Sequence, residues 1–238
     1  MKRRFSRYTA RISFLLLLLT GAVFFLNSPI LAVSSIAVQG NEELTKEQVI
    51  QIADIREPVN IFAVKTDYLQ KRLESDLRIA KASVRRSFPN VLLIDIKERK
   101  PIATLRCNYG YVDIAGNGII MNSYRNMQTM KFPMMTGITL GDVYIGDKID
   151  DANVLKAAAF LEQMDSTALA QISEISIISP QNIVAYTTGG VKIKLGDLSF
   201  SEQEAKKTAV FLNDLKTMKK PVEYVDFGYI SPVLKFKP

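Results

Sequence analysis

Histidine is absent from this sequence and cysteine occurs once, as Cys107. These two facts exclude His-based triads, the usual zinc sites, Cys-rich metal spacings and an internal disulfide. Carboxylate pairs are the enzymatic chemistry that remains, since a glycosidase needs only two such groups. Asp142 with Asp147, and Asp150 with Asp151, have the required residue types. In loop-rich sequence the same residues serve as turn formers and helix caps, and that is the reading adopted for them. Gly116-Asn117-Gly118 has strand sequence on both sides, so it reads as a hairpin turn and not as a phosphate-binding loop. Arg85-Arg86 reads as a solvated strand face, and Cys107 as a small buried hydrophobe on a strand.

The elements that would hold these groups are ordinary α+β components. Ser35 to Gln39 alternates as a short strand, and Gly40-Asn41 turns the chain. Thr45-Lys46-Glu47-Gln48 fits a capping box that opens a helix carrying Val49, Ile52 and Ala53. Pro58 separates it from a second helix, with Thr66 as its cap and Leu69, Leu73 and Leu77 as its apolar stripe. Two strands follow, Ala82 to Phe88 and Val91 to Lys97, joined by Pro89-Asn90. The order β-α-α-β-β describes a three-stranded sheet covered by two helices. A boundary falls at Lys100-Pro101. Beyond it, strands are expected at Ile102–Arg106, Tyr109–Asp113 and Ile119–Met121, with a loop from Ser123 to Asp147. Asp150 or Asp151 then caps a helix carrying Val154, Leu155, Ala158, Leu161 and Met164. Residues 172–178, 183–187 and 191–195 form a meander. Ser201-Glu202-Gln203-Glu204 is a second capping box, and its helix turns Ala205, Thr208, Leu212 and Leu215 inward. Pro221 to Tyr229 reads as the last strand, followed by a polar, proline-interrupted tail.

Charge is uneven along the chain. Lys2, Arg3, Arg4, Arg7 and Arg11 account for five of the 31 basic residues, leaving 26 against 24 acidic ones in a nearly neutral body. Such a body has no field for steering polyanions, so nucleic acid is not an expected partner. Ile12 to Asn41 carries no charge, and Ile12 to Leu31 is 20 residues. As a helix rising ~1.5 Å per residue, that stretch spans roughly 30 Å, the thickness of a bilayer's hydrocarbon core. The basic residues before it are a topology signal that keeps the N-terminus cytoplasmic and exports the rest. The competing reading is a cleaved secretory signal, with Pro29 and Ala32-Val33-Ser34 as the cleavage region. An uncleaved anchor over 12–33 is favoured because apolar character resumes beyond Pro29.

Taken in order, several motifs carry a resemblance. They are Ile36-x-Val38-x-Gly40-Asn41-x-x-Leu44-Thr45, Asn60-Ile61-Phe62-x-Val64, Ala82-x-Val84-Arg85-Arg86-x-Phe88-Pro89-Asn90 and Ile94-x-Ile96-x-Glu98-Arg99-Lys100-Pro101-Ile102-Ala103. Tyr111-Val112-Asp113-x-x-Gly116, Pro133-x-x-x-Gly137 and Tyr224-Val225-Asp226-Phe227-Gly228-Tyr229 continue them. The whole resembles the FtsQ/DivIB cell-division proteins, most specifically from Val84 to Ala103. The resemblance implies a cytoplasmic tail (1–11), a transmembrane helix (12–33), a POTRA (polypeptide-transport-associated) domain (34–100), a β-domain (101–231) and a C-terminal tail (232–238). It also implies a non-enzymatic scaffold without cofactor, single-pass in the cell (inner) membrane at the division septum. Its implied partners are FtsB/DivIC-like and FtsL-like proteins, with septal peptidoglycan synthases as further candidates, and it would help control septal peptidoglycan synthesis.

By position, the resemblance places partner binding on the last strand, at Val225, Phe227, Gly228, Tyr229 and Ser231, beside the helix from Ser201 to Met218. Gly228 departs from the family there, where arginine is frequent. The residues suggest a mechanism independently. Val225, Phe227 and Tyr229 alternate on a strand with no follower, so its free amides and carbonyls could accept a partner strand. The alternatives are a POTRA-type transport or assembly module and a membrane-tethered wall hydrolase. One copy of the domain and no barrel-length sequence argue against the first. The second would need one of the carboxylate pairs.

Overall fold

The computed structural model describes residues 2–26, 28–55, 58–126, 131–199, 201–218, 220–229 and 231–237, with the side chains of residues 2–10 and of Ser201 left out of account. Two compact units result, residues 1–99 and 100–238.

The first unit begins with helix α1 (Lys2–Leu26) and continues into a 3₁₀ turn (Pro29–Leu31). Ser28 starts that turn by accepting a hydrogen bond from Ile30 N at 3.3 Å, and Pro29 occupies the position where a helical N–H would be unpaired anyway. The helix therefore stops at Leu26, short of the expected Leu31 or Val33. Leu31 and Val33 are instead buried in the unit's core, at 4% and 5% exposure. Among the described residues no helix is long and apolar enough to cross a membrane.

Then come β1 (Ser35–Gln39), α2 (Lys46–Ala53), α3 (Thr66–Glu74), β2 (Ile79–Ser87) and β3 (Val91–Glu98), in the expected order. The sheet runs β1-β3-β2, with β1 parallel and β2 antiparallel to the central β3. Val49 and Ala53 of α2 and Leu69 and Leu73 of α3 pack on Ile36, Ile79, Ala82, Leu92, Ile94 and Ile96. The α2 capping box forms as expected. Gln48 N donates to Thr45 Oγ1 at 3.2 Å, and Thr45 N donates to Gln48 Oε1 at 2.8 Å. Thr66 does not cap α3. It is the helix's first residue, and Lys65 before it makes no side-chain cap. A longer-range cap holds the turn before α2. The Glu98 carboxylate, at the end of β3, accepts backbone N–H groups from Glu42, Glu43 and Leu44 at 2.8–3.1 Å.

The second unit is a nine-stranded sheet, ordered β12-β11-β10-β9-β8-β7-β4-β5-β6. The strands are β4 (Pro101–Cys107), β5 (Gly110–Ala115), β6 (Ile120–Tyr124), β7 (Met134–Leu140), β8 (Ile172–Ser179), β9 (Asn182–Thr187), β10 (Lys192–Gly196), β11 (Val222–Asp226) and β12 (Val233–Phe236). Helices α4 (Ala152–Glu162), α5 (Ser166–Leu169) and α6 (Ser201–Leu215) supply Val154, Phe160, Leu161, Ala168, Ala205 and Leu212 to its core. The β8–β9–β10 meander lies where expected. Strand β7 lies inside the expected loop, parallel to β4 on one side and β8 on the other. Gly137 explains both the strand and why it was missed. Its φ is +88°, and a Cβ there would meet Ile177 O at 2.1 Å, so the glycine that reads as a loop signal permits close strand packing. The expected Ser201 cap falls on side-chain atoms outside those described.

A buried polar cluster ties β4, β5 and β6 together. Thr104 Oγ1 and the Tyr124 hydroxyl donate to Asp113 Oδ1 at 2.7 and 2.6 Å, and Asn122 Nδ2 donates to Oδ2 at 3.3 Å. Burial first, then the hydrogen bond to Asp113, push the Tyr124 phenol up to about 12.

Two measurements follow from these contacts. Glu98→Ala leaves three backbone donors without their carboxylate, so the urea-unfolding free energy of the first unit is expected to fall by roughly 1–2 kcal/mol, with Glu98→Gln losing less. For Tyr124 the folded state disfavours the ionised phenol. Its contribution is therefore fully present below the ordinary tyrosine value near 10 and is lost as pH rises through about 12. The stability advantage of the natural protein over Tyr124→Phe is expected to be constant up to about pH 9 and to shrink above pH 10.

Candidate partner-binding edge

The sequence-selected binding residues do not form an edge. β11 is parallel to β10, with Ile193 opposite Val225, and is covered on its other side by antiparallel β12, with Val225 opposite Leu234 and Asp226 opposite Val233. The expected polar tail (232–238) thus contains a strand, and it is the chain's own backbone that seals the margin assigned to Val225–Ser231. The reason is the short connection from Phe227 to Pro232, which lets four residues double back along β11.

The five residues separate accordingly. Val225 is fully buried and Phe227 nearly so, its ring meeting Phe211 edge-on at 6.2 Å and 89°. Both belong to the core of the second unit. Gly228, Tyr229 and Ser231 are exposed, and Gly228 N donates to Asp226 Oδ1 at 3.0 Å. Tyr229 remains a surface aromatic, 62% exposed.

The strand that ends the sheet is β12. Its residues alternate. Lys235 stands over Glu223 and Tyr224, with Nζ 2.9 Å from Glu223 Oε2 and 5.8 Å from the Tyr224 ring centre. On the same sheet face Lys194 Nζ lies 4.6 Å from that ring centre and 3.0 Å from Asp226 Oδ2. The carboxylates hold both ammonium groups above the usual lysine value, Asp226 for Lys194 and Glu223 for Lys235. Leu234 turns to the other face. There it joins Val210, Phe211, Met218, Phe227 and Pro232 around a groove of about 430 Å³, rimmed by Lys206, Lys207 and Asp214. Val210 of α6, Val233 and Phe236 are also solvent-exposed, as is Tyr229. An edge strand and an apolar groove therefore lie side by side.

The opposite margin differs. Ile120 of β6 exchanges backbone hydrogen bonds with Asp147 and Gly146, and Ile119 bridges Lys148, so part of that edge is occupied by the chain itself.

The candidate catalytic carboxylates are engaged locally. Asp151 accepts from Asn153 N and Val154 N as the α4 cap, Asp147 from Tyr144 N, and Asp142 from Asn108 Nδ2. Asp150 is exposed beside them. Cys107 is buried, and Arg85 faces solvent, paired with Asp95 at 2.6 Å. Arg86 is exposed as well, in keeping with the solvated-face reading, and its guanidinium also donates to Ile61 O and Val64 O. Among the described residues no cluster of potential ligands could hold a metal ion.

Sequence reasoning missed β12. The available signal was the alternation of Val233-Leu234-Lys235-Phe236 directly after Pro232, which is short for a strand and masked by the proline.

Comparison with known proteins brings two family profiles onto the chain. "POTRA domain, FtsQ-type" matches residues 31–99, and "Cell division protein FtsQ/DivIB, C-terminal" matches residues 103–227. The first begins at Leu31, where the structure places the start of the core, and the second stops before β12. Cell division protein FtsQ of Syntrophotalea carbinolica is 27% identical over 198 residues, covering 82% of this chain and 70% of the relative. Cell division protein DivIB of Clostridium tetani is 24% identical over 218 residues, covering 88% and 79%. The solved major extracytoplasmic domain of DivIB from Geobacillus stearothermophilus covers 51% of this chain and 95% of its own, at 15% identity and a TM-score of 0.35, too low to inform the fold.

Core and surface aromatics at this margin separate experimentally. Phe227→Ala opens a cavity against Phe211 and is expected to cost about 3 kcal/mol in urea unfolding. Tyr229→Ala removes an exposed ring and is expected to change stability by less than about 0.5 kcal/mol.

Proposed function

The chain belongs to the FtsQ/DivIB family of cell-division proteins, and from that premise we propose that it is a non-catalytic scaffold of the division apparatus that recruits partner proteins by adding their backbone to β12. The observation that carries this reading is the position of β12. It is the last strand of the sheet, with solvent beyond it and an apolar groove beneath its Leu234 side. An edge strand offers amide and carbonyl groups for a partner strand, and the groove offers a place for apolar side chains of the same partner. Partners of FtsB/DivIC and FtsL type are the proposed occupants, by resemblance to the family. Tyr229 and α6 flank the site and are proposed to contribute side-chain contacts, whereas Val225 and Phe227 act as its support.

Helix α1 is proposed as the anchor, with Lys2, Arg3, Arg4, Arg7 and Arg11 on the cytoplasmic side and both units outside the cytoplasm. Support comes from Ile12 to Leu26, whose large apolar side chains are 45–84% exposed. Such a surface is unfavourable in water. At the septum the scaffold would hold its partners where peptidoglycan synthesis is controlled.

The test uses the full chain in detergent and an FtsB- or DivIC-like partner from the same cells. Phe236→Lys and Leu234→Lys are expected to weaken capture at least tenfold, about 1.4 kcal/mol. Tyr144→Lys, on an exposed loop next to the opposite margin, is expected to leave capture unchanged. Equal capture by all three, with unfolding curves intact, would remove β12 as the binding strand.

A further inference from the structure

The first unit carries a second apolar surface, built where α1 ends. Asn60 fastens the two together. Its Nδ2 donates to the carbonyl of Leu26, the last residue of α1, at 2.6 Å, and its Oδ1 accepts from Phe62 N at 2.9 Å. Opposite this loop runs the segment that leaves α1. Val33 N donates to Val59 O and Ile61 N to Leu31 O, each at 2.8 Å, with Ala32 bridging Asn60 in antiparallel register. Ile30 belongs to the 3₁₀ turn just before this pairing, and Phe62 follows Ile61 directly. Phe62 meets Phe88 of the following turn at 5.2 Å between ring centres. Arg86 holds the Phe62 turn from beneath, its Nε donating to Ile61 O at 2.9 Å and its Nη2 to Val64 O at 2.7 Å. Four hydrogen bonds from two side chains thus hold the Phe62 turn and tie it to the end of α1, and three apolar residues of this region are each about half exposed or more: Ile30 64%, Phe62 49% and Phe88 61%.

We infer that Ile30, Phe62 and Phe88 form a shelf that sits in the bilayer at the boundary between headgroups and acyl chains, on the side where α1 emerges. The inference rests on α1 being the anchor. Two observations point to lipid as the occupant. The shelf is continuous with the helix end, since Asn27 and Ser28 alone separate Leu26 from the 3₁₀ turn that carries Ile30. The helix is also short. Its uncharged run from Ile12 to Leu26 is 15 residues, which at ~1.5 Å per residue gives about 22 Å, against roughly 30 Å of hydrocarbon. A deficit of that size is met by thinning the bilayer or by moving flanking groups to the interface. Basic side chains can do this at the cytoplasmic end. At the other end no charged residue lies between Leu26 and Glu42, and the shelf supplies apolar surface at the depth that the helix does not reach. A domain seated in this way is held against the membrane instead of swinging on its two-residue connection.

The natural chain has no tryptophan, so single replacements report depth without background. The full chain would be reconstituted into phosphatidylethanolamine–phosphatidylglycerol vesicles as Leu18→Trp, Phe62→Trp, Phe88→Trp and Tyr144→Trp, with nitroxide lipids labelled near the headgroup or deep in the acyl chain. Leu18→Trp is expected to be quenched most by the deep label. Phe62→Trp and Phe88→Trp are expected to be quenched by the shallow label more than by the deep one, and Tyr144→Trp by neither. If Leu18→Trp is quenched while Phe62→Trp and Phe88→Trp are not, the shelf is overturned and the anchor stands, as it would if a protein or a second copy covered that surface. If Leu18→Trp escapes quenching, the anchor reading itself fails and takes the shelf with it.

Discussion

An open β-sheet must end somewhere, and the pairing of β12 with β11 decides where this one ends. Without β12, the outward amides of β11 would face solvent beside Val225 and Phe227, two core side chains that need a covered strand to stay dry. With it, Phe227 stays packed edge-on against Phe211, α6 stays seated on the sheet, and the exposed margin moves to a four-residue strand. Every feature of the proposed binding surface follows from that displacement. The groove exists because Leu234 and Pro232 form one wall and α6 the other.

What the sequence disclosed and what it hid divide along physical lines. In the first unit, elements are joined by short connections and announced by local chemistry. The Thr45–Gln48 box and the alternation through Val91–Lys97 were legible because neighbours in sequence are neighbours in space. The Glu98 cap was not, because it joins residues more than fifty positions apart. In the second unit β7 was hidden because Gly137 and Pro133 carry loop character and the strand buries little apolar surface. The binding margin was half legible. Alternation located the right hairpin, but period two cannot tell an edge strand from one covered by its successor. The four residues that settle the matter follow a proline.

The end of α1 shows a different kind of error. Ile30, Leu31, Ala32 and Val33 extend the apolar run in sequence, and hydropathy cannot tell lipid from a protein core. Ser28-Pro29 breaks the helix, Leu31 and Val33 turn into the core of the first unit, and Ile30 is left outside. Residues counted towards a 20-residue span are thus split between the end of α1 and the core of the first unit. The helix becomes shorter than a bilayer for the same reason that the domain begins so close to it.

As the proposed binding strand, β12 would be an edge open to one partner and closed to copies of itself. Long, flat, apolar edges invite indiscriminate pairing. Here the edge is four residues long, starts after Pro232 and presents Lys235 on one face, paired with Glu223 and set over Tyr224 beside Lys194. A second β12 laid alongside would bring like charges together and find no groove of its own to fill. A partner strand carrying acidic groups on that face and apolar groups on the other would satisfy both sides at once. Selectivity of this kind needs both the repulsion and the pocket. Removing Lys235 should therefore loosen discrimination, whereas filling the groove should abolish recognition.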